Sequence, residues 1–190
     1  MPNKIIYTKD KEEQRNRYSE YINEHIKNVE FCYFEYVKCF KEIFPSVYAY
    51  DVKHTSLINN IRYHDLSKYS EYEFEAYANK FYPILGIEED KEKIKSKFNY
   101  AWLHHVHSNP HHPMYWVLVE ENKEIVILDM PDIYIIEMLC DWMAMSKHFN
   151  SSTFEYWNAK GNKLPLSFDT RFKIDKFMQY MNTHYKDILW

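Results

Sequence analysis

Ten histidines occur in the 190-residue chain, and five of them fall between His104 and His112. Imidazole can ligate a metal, carry a proton or accept a hydrogen bond near neutral pH, so histidines that sit beside carboxylates or on apolar helix faces come first. His25 continues the stripe Tyr18, Ile22, Val29, Cys32, which turns it toward a core. A core histidine bonded to a carbonyl and a ligand histidine both fit that placement. His64 and Asp65 are consecutive within Ile61-Arg62-Tyr63-His64-Asp65-Leu66-Ser67-Lys68. Both are good ligands for a divalent transition metal, and both reach one ion only near a helix face or end. Lys68 follows one turn later, as a point charge suited to a phosphate oxygen. Asp141 stands among Ile135, Ile136, Met138, Leu139, Trp142 and Met143, and shares a face with Glu137, Ala144 and His148. That face is either solvated, the more ready reading for Glu137, or it buries Asp141 beside a cation such as a metal ion. Finally, Trp102 to Trp116 places His104-His105 at a helix end and His111-His112 in the loop beyond. Such imidazoles can converge on an ion or an anion, or form a surface tract that binds metals adventitiously. The interleaved Trp102, Leu103, Val106, Tyr115 and Trp116 argue against full solvation.

The elements that must position these groups follow from apolar spacing. Three-to-four spacing from Asp10 to Phe44 predicts one long amphipathic helix stopped at Pro45. A second helix is expected over Val52–Tyr63, ending near His64. A third, capped by Ser67 or Ser70, should run Glu71–Phe81, with Pro83 and Gly86 after it. Asp90–His107 reads as a helix broken by Ser108-Asn109-Pro110. Met114–Val119 should be irregular or extended, and Glu124–Leu128 is the strand candidate, paired with Val117–Val119 as a hairpin. Asp129, as N-cap, and Pro131 mark the start of a helix reaching Phe149. A short helix over Thr153–Asn158 and a last one over Asp169–Tyr185 complete an all-α fold with at most a minor hairpin around 117–128. One domain of 190 residues is expected, with a core over about 10–149 and a helical extension over 150–190.

Composition narrows the function. Only two glycines occur, Gly86 and Gly161, so no Gly-rich phosphate loop and no Rossmann or P-loop site can be built. A 46% hydrophobic and 18% aromatic composition excludes intrinsic disorder. Net charge is −4, with no basic excess to hold a nucleic-acid duplex, though a local patch could bind a small anion. Met1–Gln14 lacks the apolar core of a signal peptide. The most apolar stretch, Ile125–Met145, is interrupted by Asp129, Pro131, Asp132, Glu137 and Asp141, so no membrane span is expected. Three cysteines, Cys32, Cys39 and Cys140, suggest reduced thiols in a cytoplasm, with Cys32 and Cys39 packed in a core.

The order His25, then His64-Asp65, then Asp141 on successive helical carriers resembles the HD-domain superfamily of metal-dependent phosphohydrolases. In HDLSK, Lys68 matches the HD-x-x-K form of that superfamily. More narrowly, HDLSKYSEYEF, AWLHH, NPHHPMYW and EMLCDWMAM look like a family of uncharacterised bacterial and phage proteins with an HD-like pattern, over about Ile22–Phe149. The GYP motif of cyclic-dinucleotide phosphodiesterases is absent. The resemblance implies an HD-like helical bundle. Its metal ligands would be His25, His64, Asp65 and Asp141, with His104 added if a second ion is held. One or two divalent transition ions are implied, and the mixed nitrogen and oxygen ligands suit Mn, Fe, Co, Ni or Zn. The implied reaction is hydrolysis of a phosphoester on a small nucleotide-like substrate. Asp65, Lys68, His104 and His105 would act in catalysis. Lys68, His111, His112, Tyr115 and Trp116 would hold the substrate, the two aromatic rings stacking on a base. Two rival functions share the scaffold: an HD-fold diiron oxygenase, and a non-catalytic nucleotide- or partner-binding protein.

Overall fold

A computed structural model describes residues 5–87 and 90–185. Of the described residues 71% are helical, and they include one small antiparallel sheet. Among the described residues the helices are α1 (Lys11–Glu35), α2 (Val37–Ile43), α3 (Pro45–Tyr48), α4 (Asp51–Arg62), α5 (Phe74–Phe81), α6 (Lys91–Ser108), α7 (Asp132–Phe149), α8 (Thr153–Ala159) and α9 (Phe168–His184). Strands β1 (Val117–Val119) and β2 (Ile125–Ile127) pair antiparallel, with Leu118 opposite Val126. The all-α expectation with one hairpin near 117–128 therefore holds. No described helix is long and apolar enough to cross a membrane.

The chain divides into two compact units. The first comprises residues 1–26 and 65–109, the second residues 27–64 and 110–190. Each has its own apolar core. In the first unit Tyr18, Tyr21 and Ile22 of α1 pack with Phe74, Tyr77 and Ala78 of α5, Tyr82, and Phe98 and Ala101 of α6. Tyr18 lies against Phe74 with ring centroids 5.0 Å apart, and Tyr77 meets Phe98 edge-on at 5.0 Å. Aromatic side chains thus supply most of this core's area. In the second unit α2 packs on α9, where Phe40 and Phe177 stack at 5.2 Å, and α4 packs on α7. Cys32, Cys39 and Cys140 are buried in this core as free thiols.

Several boundaries differ from the periodic reading. The single helix expected over Asp10–Phe44 breaks at Tyr36, which takes φ −104° and ψ 16°. Its ring is buried edge-on against Tyr185. Helix α2 ends at Ile43, as expected before Pro45, and Pro45 itself opens the short α3 at its first position, where a missing N–H costs nothing. The residue it restricts is Phe44 before it, which leaves the α region (φ −123°, ψ 52°). Neither Ser67 nor Ser70 caps α5: Leu66–Tyr69 forms a 3-10 turn and Glu73 is the residue before the helix. Within the stretch expected to be irregular or extended, Pro113–Trp116 forms another 3-10 turn and Val117–Val119 a strand. Asp129 does not cap α7, whose preceding residue is Pro131. By contrast, Asp90 caps α6, its carboxylate accepting from the Glu92 and Lys93 amides.

Candidate functional site

The His64-Asp65 pair lies beyond a helix. Helix α4 ends at Arg62, and Asp65 adopts the left-handed conformation (φ 56°, ψ 21°) before the 3-10 turn Leu66–Tyr69. Aspartate tolerates that region better than most side chains. The ideal-helix geometry that would hold adjacent side chains about 100° apart therefore does not apply here.

In the second unit His64 is 1% exposed and its Nδ1 donates to Glu137 Oε1 at 3.0 Å. This bond fixes the proton on Nδ1, because a carboxylate can only accept. His64 Nε2 is then the lone-pair nitrogen, and it lies 3.8 Å from Asp141 Oδ1. That separation is beyond a hydrogen bond. It is near the spacing of about 3.4 Å that two donors bound at about 2.1 Å to one tetrahedral ion would have. His111 joins them: its Nδ1 lies 3.1 Å from the same Glu137 oxygen, and its ring is 4.4 Å from that of His64. One ligand atom each from His64, His111 and Asp141 falls within 4.8 Å of the others, a spacing that can hold a metal ion. Two imidazoles and a carboxylate are a borderline donor set that fits a transition metal better than Mg or Ca. Glu137 is buried rather than solvated. Burial alone would raise its pKa, but the His111 and His64 imidazoles beside it outweigh that and hold it below the ordinary carboxylate value.

In the first unit Asp65 is the hub. Its Oδ2 accepts from Lys68 Nζ at 2.6 Å, and both residues are buried. His25 Nε2 lies 3.8 Å from the same oxygen, and His105 Nε2 lies 3.4 Å from Oδ1. His25 is thus buried against a carboxylate, on the core-facing stripe as its spacing requires. Of the adjacent pair it is His105, not His104, whose nitrogen reaches Asp65. His104 is a third exposed, stacks on Tyr72 at 4.8 Å and donates from Nδ1 to Glu73 Oε1 at 2.7 Å. Glu73 also takes His105 Nδ1 on its other oxygen at 2.9 Å. It is fully buried, and burial opposes its ionisation. The bonds from His105, His104 and Ser67 nonetheless bring its pKa below the ordinary value.

The remaining expected residues divide. His112 is partly exposed, its ring 4.3 Å from that of His111. Tyr115 is 39% exposed and can meet a ligand. Trp116 is committed to its own loop: Nε1 donates to the Pro110 carbonyl at 2.7 Å and the ring packs on Tyr134. His54 bonds the Tyr33 hydroxyl at 3.2 Å, and His148 is exposed. The sequence reading missed Glu73 entirely and left Glu137 on a solvated face. The one available signal was that a buried imidazole needs an oriented partner, and nothing in the spacing shows which glutamate supplies it.

No curated protein and no solved structure matches the chain. A family model described as a family of unknown function, DUF5662, matches residues 14–180. That span runs from the first turn of α1 through most of α9 and takes in every residue of both polar groups, so the chain belongs to the DUF5662 family of unknown function.

Proposed function

We propose that the chain is a metal-dependent phosphohydrolase that cleaves a phosphoester of a small anionic, nucleotide-like substrate. The observation that carries this reading is the group His64, His111 and Asp141, with His64 held by Glu137 so that its Nε2 lone pair faces Asp141 Oδ1 at 3.8 Å. A divalent ion of the Mn, Fe, Co, Ni or Zn type bound there would polarise a phosphoryl oxygen and make water a nucleophile near neutral pH. Lys68 supplies a buried positive charge, paired with Asp65, that an incoming phosphate would also attract. His104 and His105 provide imidazoles for proton transfer. Tyr115 offers an exposed ring to a base, with His112 nearby in sequence as a further hydrogen-bonding group for the substrate. Three free buried thiols suit a reducing cytoplasm, the location that belongs to this reading.

The test combines metal analysis and turnover on the untagged protein. Elemental mass spectrometry should find one or two equivalents of a transition metal, lost in the His64→Ala/Asp65→Asn double variant. Hydrolysis of bis(4-nitrophenyl) phosphate with added Mn should disappear in Asp65→Asn while circular dichroism is unchanged. Asparagine is the right replacement for two reasons. It tolerates the left-handed backbone at position 65, and it keeps an oxygen for Lys68, whose charge alanine would leave buried and unpaired at about 3–5 kcal/mol. An active Asp65→Asn protein would sink the reading. Two irons per chain with an oxygen-dependent absorption band would replace it with the oxygenase. A nucleotide bound and recovered intact would replace it with the binding protein.

A further inference from the structure

We infer that Glu73, a residue with no counterpart in the metal-ligand pattern, is the positioning residue of the His104-His105 pair. It holds both rings as Nδ1–H tautomers and so presents both Nε2 lone pairs. The chemical consequence of this rests on the phosphohydrolase reading; the tautomer assignment does not.

Neighbouring residues on helix α6 leave the axis in directions about 100° apart. Yet His104 Nδ1 and His105 Nδ1 lie 2.7 and 2.9 Å from the two oxygens of one carboxylate. Glu73 therefore bridges the angle between them. It can do so because it precedes α5, whose contact with α6 is the main helix pairing of the first unit, and because its side chain is fully buried. A carboxylate that meets an imidazole nitrogen on each of its oxygens, at 2.7 and 2.9 Å, is held ionised by them and accepts only. Each imidazole must then donate to it through Nδ1.

Competing arrangements are weaker. His105 Nδ1 also lies near Ser67 Oγ at 3.3 Å and Asn109 Nδ2 at 3.2 Å, both able to donate to it. If they did, the Nδ1 lone pair would face an anionic oxygen at 2.9 Å. Asn109 Nδ2 has better acceptors in the His105 carbonyl at 2.8 Å and Ser67 Oγ at 2.7 Å. A charge-assisted bond at 2.9 Å outweighs a neutral one at 3.2–3.3 Å. The alternative for His105, an Nε2–H directed at Asp65 Oδ1, would span 3.4 Å. For His104, Ser108 Oγ sits 3.5 Å from Nε2, where a hydroxyl can donate to the lone pair. Packing holds the rings in this orientation. Tyr72 stacks on His104, Trp102 stacks on His105 at 5.6 Å, and Tyr77 meets His105 edge-on at 6.0 Å. Glu73 thereby leaves Nε2 of each ring as the nitrogen that can take a proton or a cation.

Histidine ring nitrogen shifts decide this directly. Long-range proton–nitrogen correlation spectra of the full, labelled chain at pH 8, assigned with His104→Gln and His105→Gln, should show Nδ1 protonated and Nε2 bare in both rings. In Glu73→Gln one ring should reverse, because the amide accepts through oxygen but donates through nitrogen. In Glu73→Leu both rings should average over the two tautomers, with circular dichroism reporting the fold. The assignment is overturned if either wild-type ring carries its proton on Nε2 or on both nitrogens, or if Glu73→Gln leaves both rings unchanged. The wild-type spectrum decides even if the variants fail to fold. On bis(4-nitrophenyl) phosphate, Glu73→Gln should lower kcat about 10–100-fold at unchanged metal content, the usual effect of losing a residue that orients an active imidazole. An unaffected kcat with a reversed tautomer would make Glu73 structural only. A wild-type protein that hydrolyses no phosphoester would remove the phosphohydrolase reading, and the ring shifts would still decide the role of Glu73.

Discussion

At the scale of single residues, both polar groups share one device. In each unit a buried glutamate takes imidazole Nδ1: Glu73 that of His104 and His105, Glu137 that of His64, with His111 Nδ1 3.1 Å from the same Glu137 oxygen. Burying an ionised carboxylate is costly unless it is paired, and here the histidines are the pairing. The arrangement orients the rings as carboxylates behind metal-ligating histidines do. Glu137→Leu removes the acceptor from His64 and should weaken Mn or Zn binding about 10–100-fold by titration calorimetry. Glu137→Gln keeps an oxygen in place and should lose less. Equal affinity in Glu137→Leu and the wild type would show that the carboxylate orients nothing.

At the scale of elements, the positions of the chemically able residues depend on how helices begin and end. The pair His64-Asp65 occupies the turn between α4 and a 3-10 segment, not a helix. Helix α9 is tied down by a short relay. Ser167 Oγ accepts the Thr170 amide at 3.2 Å, and Thr170 Oγ1 accepts the Met130 amide at 3.0 Å, just before α7 begins. Thr170 is 1% exposed and Met130 2% exposed, so the Met130 N–H has no water to turn to. Thr170→Val keeps the shape but strands that donor, at a cost of about 1–3 kcal/mol. Ser167→Ala removes only a cap, worth about 1 kcal/mol. Urea denaturation should rank Thr170→Val as the more destabilising of the two. The reverse order would show that the Met130 amide finds another acceptor.

At the scale of the whole molecule, the buried thiols and phenols set the alkaline limit of stability. Burial pushes the Cys32 and Cys39 thiols up to about 12 and Cys140 well above its ordinary value; Tyr82 rises to about 12 by the same cause. These groups must stay protonated in the folded chain, whereas the unfolded chain ionises its thiols near pH 9. A raised folded-state pKa contributes stability that is fully present below the unfolded value and is lost as pH rises through the folded one. The urea midpoint should therefore hold up to about pH 9 and fall between about 9 and 12. At pH 8 a thiol reagent should label the native protein far more slowly than the urea-unfolded one. Rapid labelling of native protein would contradict the burial of all three.

What the sequence determined by itself is the part set by local periodicity and backbone chemistry. Three-to-four apolar spacing yields helices at α4, α6, α7, α8 and α9 nearly at the expected bounds, and the Val117–Val119 and Ile125–Ile127 strands fall within the stretches expected to form the hairpin. The core-facing stripe of α1 carried His25 inward for the same reason. Only the tertiary structure decided the rest. The first helix is interrupted at Tyr36, whose ring is buried against Tyr185, far along the chain. Asp65 takes a left-handed turn that no spacing rule signals. Lys68 faces Asp65, Glu73 bridges two histidines, and Glu137 lies buried against two more. These partners are 3 to 73 residues apart. Periodicity states which face of an element is apolar, while the partner of a buried polar group depends on which faces meet, and that is a property of packing.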